Sequence, residues 1–263
     1  MDIPVVELER LNISFGEKQV LHDFSLNIYS GQSLAVVGES GSGKSIGALL
    51  SMGLLDPHAI VTFQTANLLG RPISSMTSKQ WSQIRGKEVS MVFQDPMTSL
   101  HPSIRIGKQL DEVLEHHTEL VRQERKNKIL RALEEVELLD PETTYSKYPH
   151  ELSGGQRQRV VIAMALLLDP KLIIADEPVS ALDVSIQSQI LNLLLDLRDQ
   201  LNLTMIFISH DLSVVRYISD KIAVMFAGKI KEYGEAETVF HHPTHSYTKK
   251  LLSAIPHLKI TAS

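Results

Sequence analysis

The segment Gly38-Glu39-Ser40-Gly41-Ser42-Gly43-Lys44-Ser45 matches the phosphate-loop pattern G-x-x-x-x-G-K-[ST]. It follows the apolar run Leu34-Ala35-Val36-Val37, which predicts a buried strand. A helix is expected to begin near Lys44 and to run through Leu54. The glycines allow backbone N–H groups to turn toward a phosphate, and the helix start adds its positive dipole end. In such a loop the lysine reaches the outer phosphates and Ser45 offers its hydroxyl to Mg²⁺.

A second segment carries two adjacent carboxylates at the end of a predicted strand. The run from Leu172 to Ala175 is apolar and leads into Asp176-Glu177. On a strand next to the phosphate loop, Asp176 could hold the Mg²⁺ shell, and Glu177 could accept a proton from an attacking water. Many strands end in acidic residues, so this pattern gains its meaning from the phosphate loop that accompanies it.

A third segment, Leu152-Ser153-Gly154-Gly155-Gln156, predicts another helix start, with the helix running from about Gln156 to Leu168. Small residues at a helix N-terminus can bind an anion through free N–H groups. The alternative is that Ser153 only caps the helix. Two potential phosphate-binding helix starts thus lie far apart in one chain.

The remaining pattern alternates strands with helices, which indicates a largely parallel sheet covered by helices. Residues 96–152 differ, because their apolar residues fall at helical spacing and predict an all-helical insert. Further strands are predicted for residues 5–15, 23–28 and 204–209, a long amphipathic helix for 186–201, and a hairpin around Ala227-Gly228-Lys229.

Composition narrows the function classes. The 263 residues carry a net charge of −5, which argues against a nucleic-acid partner. The absence of cysteine excludes disulfides and cysteine-ligated metal clusters and fits a reducing compartment. No run approaches 18 apolar residues, so any membrane role would require docking onto another subunit. The cluster His241, His242 and His245 could suggest a metal site, but exposed tail residues are the simpler interpretation.

The order of the motifs resembles that of the nucleotide-binding subunits of ABC transporters, over nearly the whole chain. After the phosphate loop come Phe93-Gln94-Asp95-Pro96, Leu152 to Gln156, Asp176-Glu177, Ser180-Ala181-Leu182-Asp183 and Ser209-His210-Asp211. The resemblance implies an α/β fold: a P-loop NTPase (RecA-like) core with an N-terminal antiparallel β subdomain and an inserted α-helical subdomain. It divides the chain into a core of residues 1–95 and 153–240, helices at 96–152 and a tail at 241–263.

The resemblance also implies ATP and Mg²⁺ as cofactors and gives individual residues roles. Nucleotide contacts fall to Phe15, which would stack on adenine, and to Gly38, Ser40, Gly41, Ser42, Gly43, Lys44, Ser45 and Ile46. Catalytic roles fall to Glu177 as general base, His210 as γ-phosphate switch and Gln94 as sensor. Magnesium ligands would be Ser45, Gln94 and Asp176. The signature at the start of the later helix would bind the ATP of the opposite subunit, through Ser153, Gly154, Gly155 and Gln156. Asp183, a further nucleotide-site residue, would lie in the loop that crosses the dimer interface.

Finer features resemble the oligopeptide, dipeptide and nickel importer branch. They include the stretch from Phe93 to Pro102 and the tail His242-Pro243-Thr244-His245-Ser246-Tyr247-Thr248, followed by Leu251 to Pro256. His101 stands where relatives usually have Asn. Without cysteine, the chain is expected to lack the iron–sulfur cluster of many peptide-importer ATPases. The form without this cluster also resembles nickel and metallophore importers, so nickel or a metal–metallophore complex is the alternative cargo.

The resemblance implies a peripheral subunit on the cytoplasmic face of the cell membrane. Its partners would be a second ATPase subunit, identical or related, two transmembrane permease subunits and, indirectly, an extracytoplasmic solute-binding protein. Two other classes compete with this interpretation. One is a non-transport ABC ATPase that acts on nucleic acid or ribosomes, and the other is a binding module that holds ATP without hydrolysing it.

Overall fold

The structure is a computed structural model and describes residues 3–254. The strands are β1 (Val6–Phe15), β2 (Lys18–Ile28), β3 (Ser33–Gly38), β4 (Ala59–Thr62), β5 (Thr65–Leu68), β6 (Arg71–Pro72), β7 (Val89–Val92), β8 (Leu172–Asp176), β9 (Thr204–Ser209), β10 (Lys221–Phe226) and β11 (Lys229–Glu235). The helices are α1 (Lys44–Ser51), α2 (Ser78–Ile84), α3 (Pro96–Ser99), α4 (Ile106–His117), α5 (Arg122–Glu135), α6 (Pro141–Ser146), α7 (Gly154–Leu166), α8 (Val184–Leu201), α9 (Leu212–Ile218), α10 (Ala236–His241) and α11 (Ser246–Ser253).

The first sheet is antiparallel and contains β1, β2, β4, β5 and β6. Buried and partly exposed residues largely alternate along β1, as expected for a strand with one face on the core. The strand β2 begins five residues before the predicted Asp23, and β4 to β6 were not predicted from the sequence. This sheet supplies the N-terminal antiparallel part of the predicted fold.

The second sheet has the order β11-β10-β3-β9-β8-β7, and all its pairs are parallel except β10 with β11. Every residue of β3 and of β9 is buried, as the apolar runs predicted. The expectation that β8 lies next to the phosphate-loop strand was wrong, because β9 lies between β8 and β3. The hairpin β10–β11 is confirmed.

Two hydrophobic cores lie on the two faces of the second sheet. Successive residues of β3 alternate between them: Ala35 and Val37 belong to one core, Leu34 and Val36 to the other. Helices α7 to α11 pack on the first core, while the antiparallel sheet and α1 cover the second. The α/β P-loop fold predicted from the sequence is therefore present. Its second sheet lies between a layer of helices on one face and the antiparallel sheet with α1 on the other.

Between residues 96 and 152 the regular structure is helical, namely α3 to α6 and one 3₁₀ turn. Most of the apolar residues at helical spacing are fully buried, including Ile106 and Leu110 of α4 and Ile129 of α5, whereas Val113 is only partly buried. Arg125 of α5 is half-buried, and its Nε pairs with Asp111 Oδ1 at 2.6 Å. This ion pair joins α4 to α5.

Several helix ends differ from the sequence prediction, among them those of α1 and α7. Helix α1 ends at Ser51 rather than at Leu54, since Gly53 adopts a left-handed conformation (φ 61°) that stops the helix. Helix α7 spans Gly154–Leu166, so it begins two residues earlier than predicted.

Within residues 3–254 no helix has the length and apolar character that a membrane span requires.

Candidate functional site

The carboxyl ends of β3, β7, β8 and β9 meet at one edge of the parallel sheet, where ligands of such sheets bind. A cleft of about 780 Å³ lies there. Residues that follow each of these strands line it: the phosphate loop after β3, Gln94 after β7, Glu177 after β8 and His210 after β9. The sheet topology thus brings together four segments that are far apart in the sequence.

The phosphate loop needs its glycines for close approach of neighbouring chain segments. A Cβ on Gly38 would lie 2.2 Å from the carbonyl oxygen of Met225, and one on Gly43 would lie 2.8 Å from Leu21 Cδ2. Gly43 also has φ 97°, which disfavours other residues. Helix α1 begins directly after it without a side-chain cap. The N–H of Ile46 donates to the carbonyl oxygen of Gly43 at 3.1 Å, so the N–H groups of Lys44 and Ser45 are those that remain for an anion in the cleft.

Lys44 is held inside the loop. Its Nζ donates to the carbonyl oxygen of Gly38 at 2.8 Å and to that of Glu39 at 3.1 Å. Burial lowers the pKa of the Lys44 ammonium below its usual value, and the charges of Glu177 and Asp176 oppose this only in part. An additional anion in the cleft would stabilise this desolvated charge.

Ser45 and Asp176 meet although 131 residues separate them. The hydroxyl of Ser45 donates to Asp176 Oδ1 at 3.0 Å. Burial raises the pKa of the Asp176 carboxyl above its usual value, against the Ser45 hydrogen bond and with the help of the Glu177 charge. A hydroxyl next to a desolvated carboxylate is a ligand set that fits a hard divalent cation such as Mg²⁺.

Glu177 sits at the centre of the cleft. Its Oε2 lies 3.0 Å from His210 Nδ1 and accepts from Gln94 Nε2 at 3.3 Å, while its Oε1 lies 3.9 Å from Lys44 Nζ. The backbone of Glu177 is left-handed (φ 46°), which is uncommon for a residue with a side chain. Its N–H donates to the carbonyl oxygen of Ile208, so β9 holds this turn in place. Of the three predicted catalytic residues, Glu177 therefore contacts both His210 and Gln94.

The start of α7 lies outside this cleft. Ser153 and Gln156 form a capping box, in which the Ser153 hydroxyl accepts from Gln156 N–H and the Gln156 side chain accepts from Ser153 N–H. Both side chains are exposed. A Cβ on Gly155 would lie 2.8 Å from Ile186 Cγ2, so this glycine allows α7 to pack closely against α8. Asp183 is exposed and caps α8 by accepting from Ile186 N–H.

Other predicted residues occupy different positions relative to the cleft. Phe15 is not among the residues that line it, whereas Lys18, its partner across the β1–β2 hairpin, and Val20 are. Leu251 of α11 also lines the cleft. Sequence patterns offered no signal for Lys18, Val20 or Leu251, because these residue types have no motif of their own and their position depends on long-range packing.

The histidine cluster near residue 241 has other partners. In residues 3–254 no three His, Cys, Asp or Glu side chains are grouped so that they could hold a metal ion. His241 Nε2 lies 3.0 Å from Glu237 Oε2, and His245 is half-buried and caps α11 by accepting from Tyr247 N–H. The description of these histidines as exposed tail residues holds for His241 and His242 and is wrong for His245.

A phosphate loop, a neighbouring hydroxyl–carboxylate pair and a glutamate at the carboxyl edge of a parallel sheet define a P-loop nucleotide-binding protein. The family model described as "ABC transporter" matches residues 21–180. The chain therefore belongs to the ABC transporter family, as an ATP-hydrolysing subunit. The family resemblance and the fold class drawn from the sequence are thus confirmed.

Similar proteins support the same assignment. The dipeptide transport ATP-binding protein DppD of Lactococcus lactis is 43% identical over 96% of this chain and 74% of its own length. The oligopeptide transport ATP-binding protein OppD of Bacillus subtilis is 44% identical over 97% of this chain and 73% of its own length. A dimeric ATP-binding cassette, MJ0796, in a post-hydrolysis state with ADP and Pi, is 27% identical with a TM-score of 0.74 over 88% of this chain and 98% of that one.

Proposed function

We propose that the chain hydrolyses ATP in the cleft and thereby powers the import of peptides through membrane subunits. The observation that carries the proposal is the contact of Glu177 with both His210 and Gln94, next to a phosphate loop. The contact supports an assignment in which Glu177 accepts the proton of the attacking water, while His210 and Gln94 orient its carboxylate. Positioning and charge stabilisation supply most of the catalysis in phosphoryl transfer.

The phosphate loop is proposed to bind the triphosphate. Lys44 would exchange its contacts with loop carbonyls for the outer phosphates, and the uncapped N–H groups of α1 would bind the same oxygens. The hydroxyl of Ser42 is buried and has no hydrogen-bond partner within residues 3–254, which fits a loop that receives a polar ligand. Phe15, opposite Lys18 in the β1–β2 hairpin, is proposed to contact the adenine.

Magnesium is proposed to bind at Ser45 and Asp176, with Gln94 as a third ligand. The ion would neutralise charge on the phosphate oxygens when bound. The 3.0 Å contact between Ser45 and Asp176 and the raised pKa of the Asp176 carboxyl support this site. Both ligands belong to rigid segments, since Ser45 lies in α1 and Asp176 ends β8.

A second ATPase subunit is proposed to complete the site. The start of α7 lies outside the cleft of its own chain, at Ser153, Gly154, Gly155 and Gln156. Asp183 is exposed at the start of α8. A head-to-tail dimer would place these residues against the nucleotide of the opposite subunit, with the helical part at 96–152 carrying α7 toward it. ATP would then join two chains, and the closed state would be favoured only while ATP is bound.

Cysteine cross-linking tests this dimer, because the chain contains no cysteine of its own. Ser40 lines the cleft and Gln156 lies at the start of α7, and both are exposed. The S40C/Q156C variant should form a covalent dimer with a short bis-maleimide in ATP and not in its absence. The control pair S40C/K79C places the second thiol on the exposed Lys79 of α2 and should stay monomeric. Equal cross-linking of the two pairs, or none with ATP bound, would contradict the proposed dimer.

The cargo assignment rests on the relatives, whose names specify dipeptide and oligopeptide transport. Peptide is therefore the proposed cargo, and two transmembrane permease subunits and an extracytoplasmic solute-binding protein are the proposed partners. The chain would act at the cytoplasmic face of the membrane. Cells without the gene should lose uptake of a labelled dipeptide and keep uptake of labelled nickel. The reverse result would overturn the peptide assignment, and a tagged chain that copurifies without any membrane protein would overturn the partner assignment.

A further inference from the structure

The C-terminal helix α11 reaches the phosphate loop. Tyr247 Oη accepts a hydrogen bond from the backbone N–H of Glu39 at 3.4 Å, across 208 positions of sequence. Burial raises the pKa of the Tyr247 phenol above its usual value, and the Glu39 carboxylate adds to this through its charge and a side-chain hydrogen bond. The phenol therefore stays protonated at physiological pH and keeps its contacts with Glu39.

Specific hydrogen bonds hold α11 in this position. The carboxylate of Glu232 in β11 accepts from the N–H of Thr244 at 2.6 Å, from its hydroxyl at 2.9 Å and from the N–H of His245 at 3.1 Å. His245 in turn caps the helix by accepting from Tyr247 N–H. Burial would raise the pKa of the Glu232 carboxyl, but the hydrogen bonds from Thr244, Thr248 and His245 outweigh burial and lower it. The motif His242 to Thr248 thus anchors the helix to the core sheet.

One face of α11 adjoins the nucleotide cleft. The ring of Tyr247 packs on that of Phe226 with centroids 4.4 Å apart, at the end of the strand that pairs with β3. Leu251, one helical turn after Tyr247, lines the cleft itself. The neighbouring Leu252 is equally half-buried but does not line the cleft.

Glu39 links this helix to the lysine of the phosphate loop, Lys44. Its carbonyl oxygen accepts from Lys44 Nζ at 3.1 Å and from Ser42 N–H at 3.2 Å. The same residue is thus held by α11 through its N–H and by the loop through its C=O. A single residue therefore connects the hydrogen bond of Tyr247 to that of Lys44.

We propose that α11 forms a wall of the nucleotide site, with Tyr247 as a positioning residue for the phosphate loop and Leu251 as a contact to the bound nucleotide. The proposal rests on the assignment of the cleft to ATP. Tyr247 holds Glu39 in the conformation that receives the phosphates. The phosphate loop therefore loses less conformational entropy when the nucleotide binds. Within residues 3–254 no hydrogen bond or ion pair joins Tyr247 to Glu177 or His210, so the effect of Tyr247 is assigned to nucleotide binding rather than to the chemical step.

The test compares the Y247F variant with Y217F, whose tyrosine is 74% exposed on α9. Y247F keeps the ring and removes only the hydroxyl. Loss of one net hydrogen bond predicts about a fivefold rise in the Kd of a fluorescent ATP analogue and in the KM for ATP. The kcat should stay within about twofold, because Y247F leaves groups at the reacting phosphate in place. Y217F should match the wild type in all three quantities.

A second comparison separates the cleft contact from general packing. L251A and L252A remove the same atoms from neighbouring half-buried positions, so both should lower the unfolding temperature of the nucleotide-free protein by similar amounts. Only L251A should raise the Kd for the ATP analogue. Equal Kd values for L251A and L252A, or a Y247F variant that binds like Y217F, would overturn the inference while leaving the ATPase assignment intact. A wild-type chain that binds no ATP would overturn both.

Discussion

Glu177 and His210 lie 33 positions apart, yet Oε2 of the first is 3.0 Å from Nδ1 of the second. The register of the sheet brings them together, because Asp176 at the end of β8 pairs with Ile208 in β9. One residue further, the left-handed backbone of Glu177 turns its carboxylate toward the segment that follows β9. The hydrogen bond from Glu177 N–H to Ile208 O holds this uncommon backbone conformation in place.

This contact predicts that E177Q and H210A act on one step. E177Q should lower kcat by about 10²- to 10⁴-fold, the usual contribution of a general base, while ATP binding persists. H210A should also lower kcat, and the double variant should be hardly slower than E177Q alone, since groups that act as a unit are not additive.

Phosphate release and binding of a fluorescent ATP analogue measure the two quantities separately. E142Q, which removes the charge of a glutamate on α6 that forms a surface ion pair with Lys126, is the control and should keep full activity. Independent, multiplying effects of E177Q and H210A would refute a shared step.

The buried position of Lys44 predicts a large effect of K44M on nucleotide binding. Its ammonium would lose a charge-assisted contact with phosphate, which is about 1.5–3 kcal/mol or roughly 10- to 150-fold in Kd. Isothermal titration with ATP measures this loss. The exposed Lys79 provides the matched control K79M, and an equal loss in both variants would show that Lys44 has no special contact with ATP.

The raised pKa of the Asp176 carboxyl predicts a gain in stability for D176N. The folded protein binds the proton of the Asp176 carboxyl more tightly than the unfolded chain does. Protonation of Asp176 therefore favours folding below pH 3.8, the usual pKa of aspartate, and this stabilisation is lost as the pH rises through the raised pKa. At neutral pH the nucleotide-free wild type therefore bears the cost of a buried charge. D176N should unfold at a higher temperature at pH 7, and the difference should shrink below about pH 4.

Thermal unfolding across this pH range, without nucleotide or Mg²⁺, checks the prediction, with D196N at an exposed position of α8 as control. The same D176N variant should lose Mg²⁺-dependent hydrolysis, because an amide is a weaker ligand than a carboxylate. A lower unfolding temperature of D176N than of the wild type at neutral pH would show that burial of the Asp176 carboxylate does not destabilise the fold.

The close packing of α7 on α8 predicts opposite results for two neighbouring glycines. G155A should lower the free energy of unfolding by about 1–3 kcal/mol, because its Cβ would lie 2.8 Å from Ile186 Cγ2. G154A should not, since its nearest contact, Leu182 Cδ2, is at an ordinary 3.4 Å. Chemical denaturation measures both, and the double variant G155A/I186A should recover part of the loss. Equal stability of G154A and G155A would show that the packing argument fails.

Local sequence was sufficient for the parts of the site that depend on local conformation. The spacing of Gly38, Gly43 and Lys44 predicts a strand–loop–helix unit, and the structure has that unit. Apolar periodicity likewise predicted the buried faces of α4 and α5, because a helix that buries one face must repeat its apolar residues every three to four positions.

The amino-acid order thus established the phosphate loop, the acidic strand end and the helix starts, all of which follow from residues near one another in the chain. It did not establish that β9 lies between β3 and β8, that Lys18 and Val20 line the cleft, or that Tyr247 contacts Glu39. Those facts depend on which strands become neighbours and on how a distant helix is anchored. Such choices are made by burial and hydrogen bonding between segments that are distant in the chain, in the case of Glu39 and Tyr247 by 208 positions. They leave no periodic pattern in the sequence of either segment.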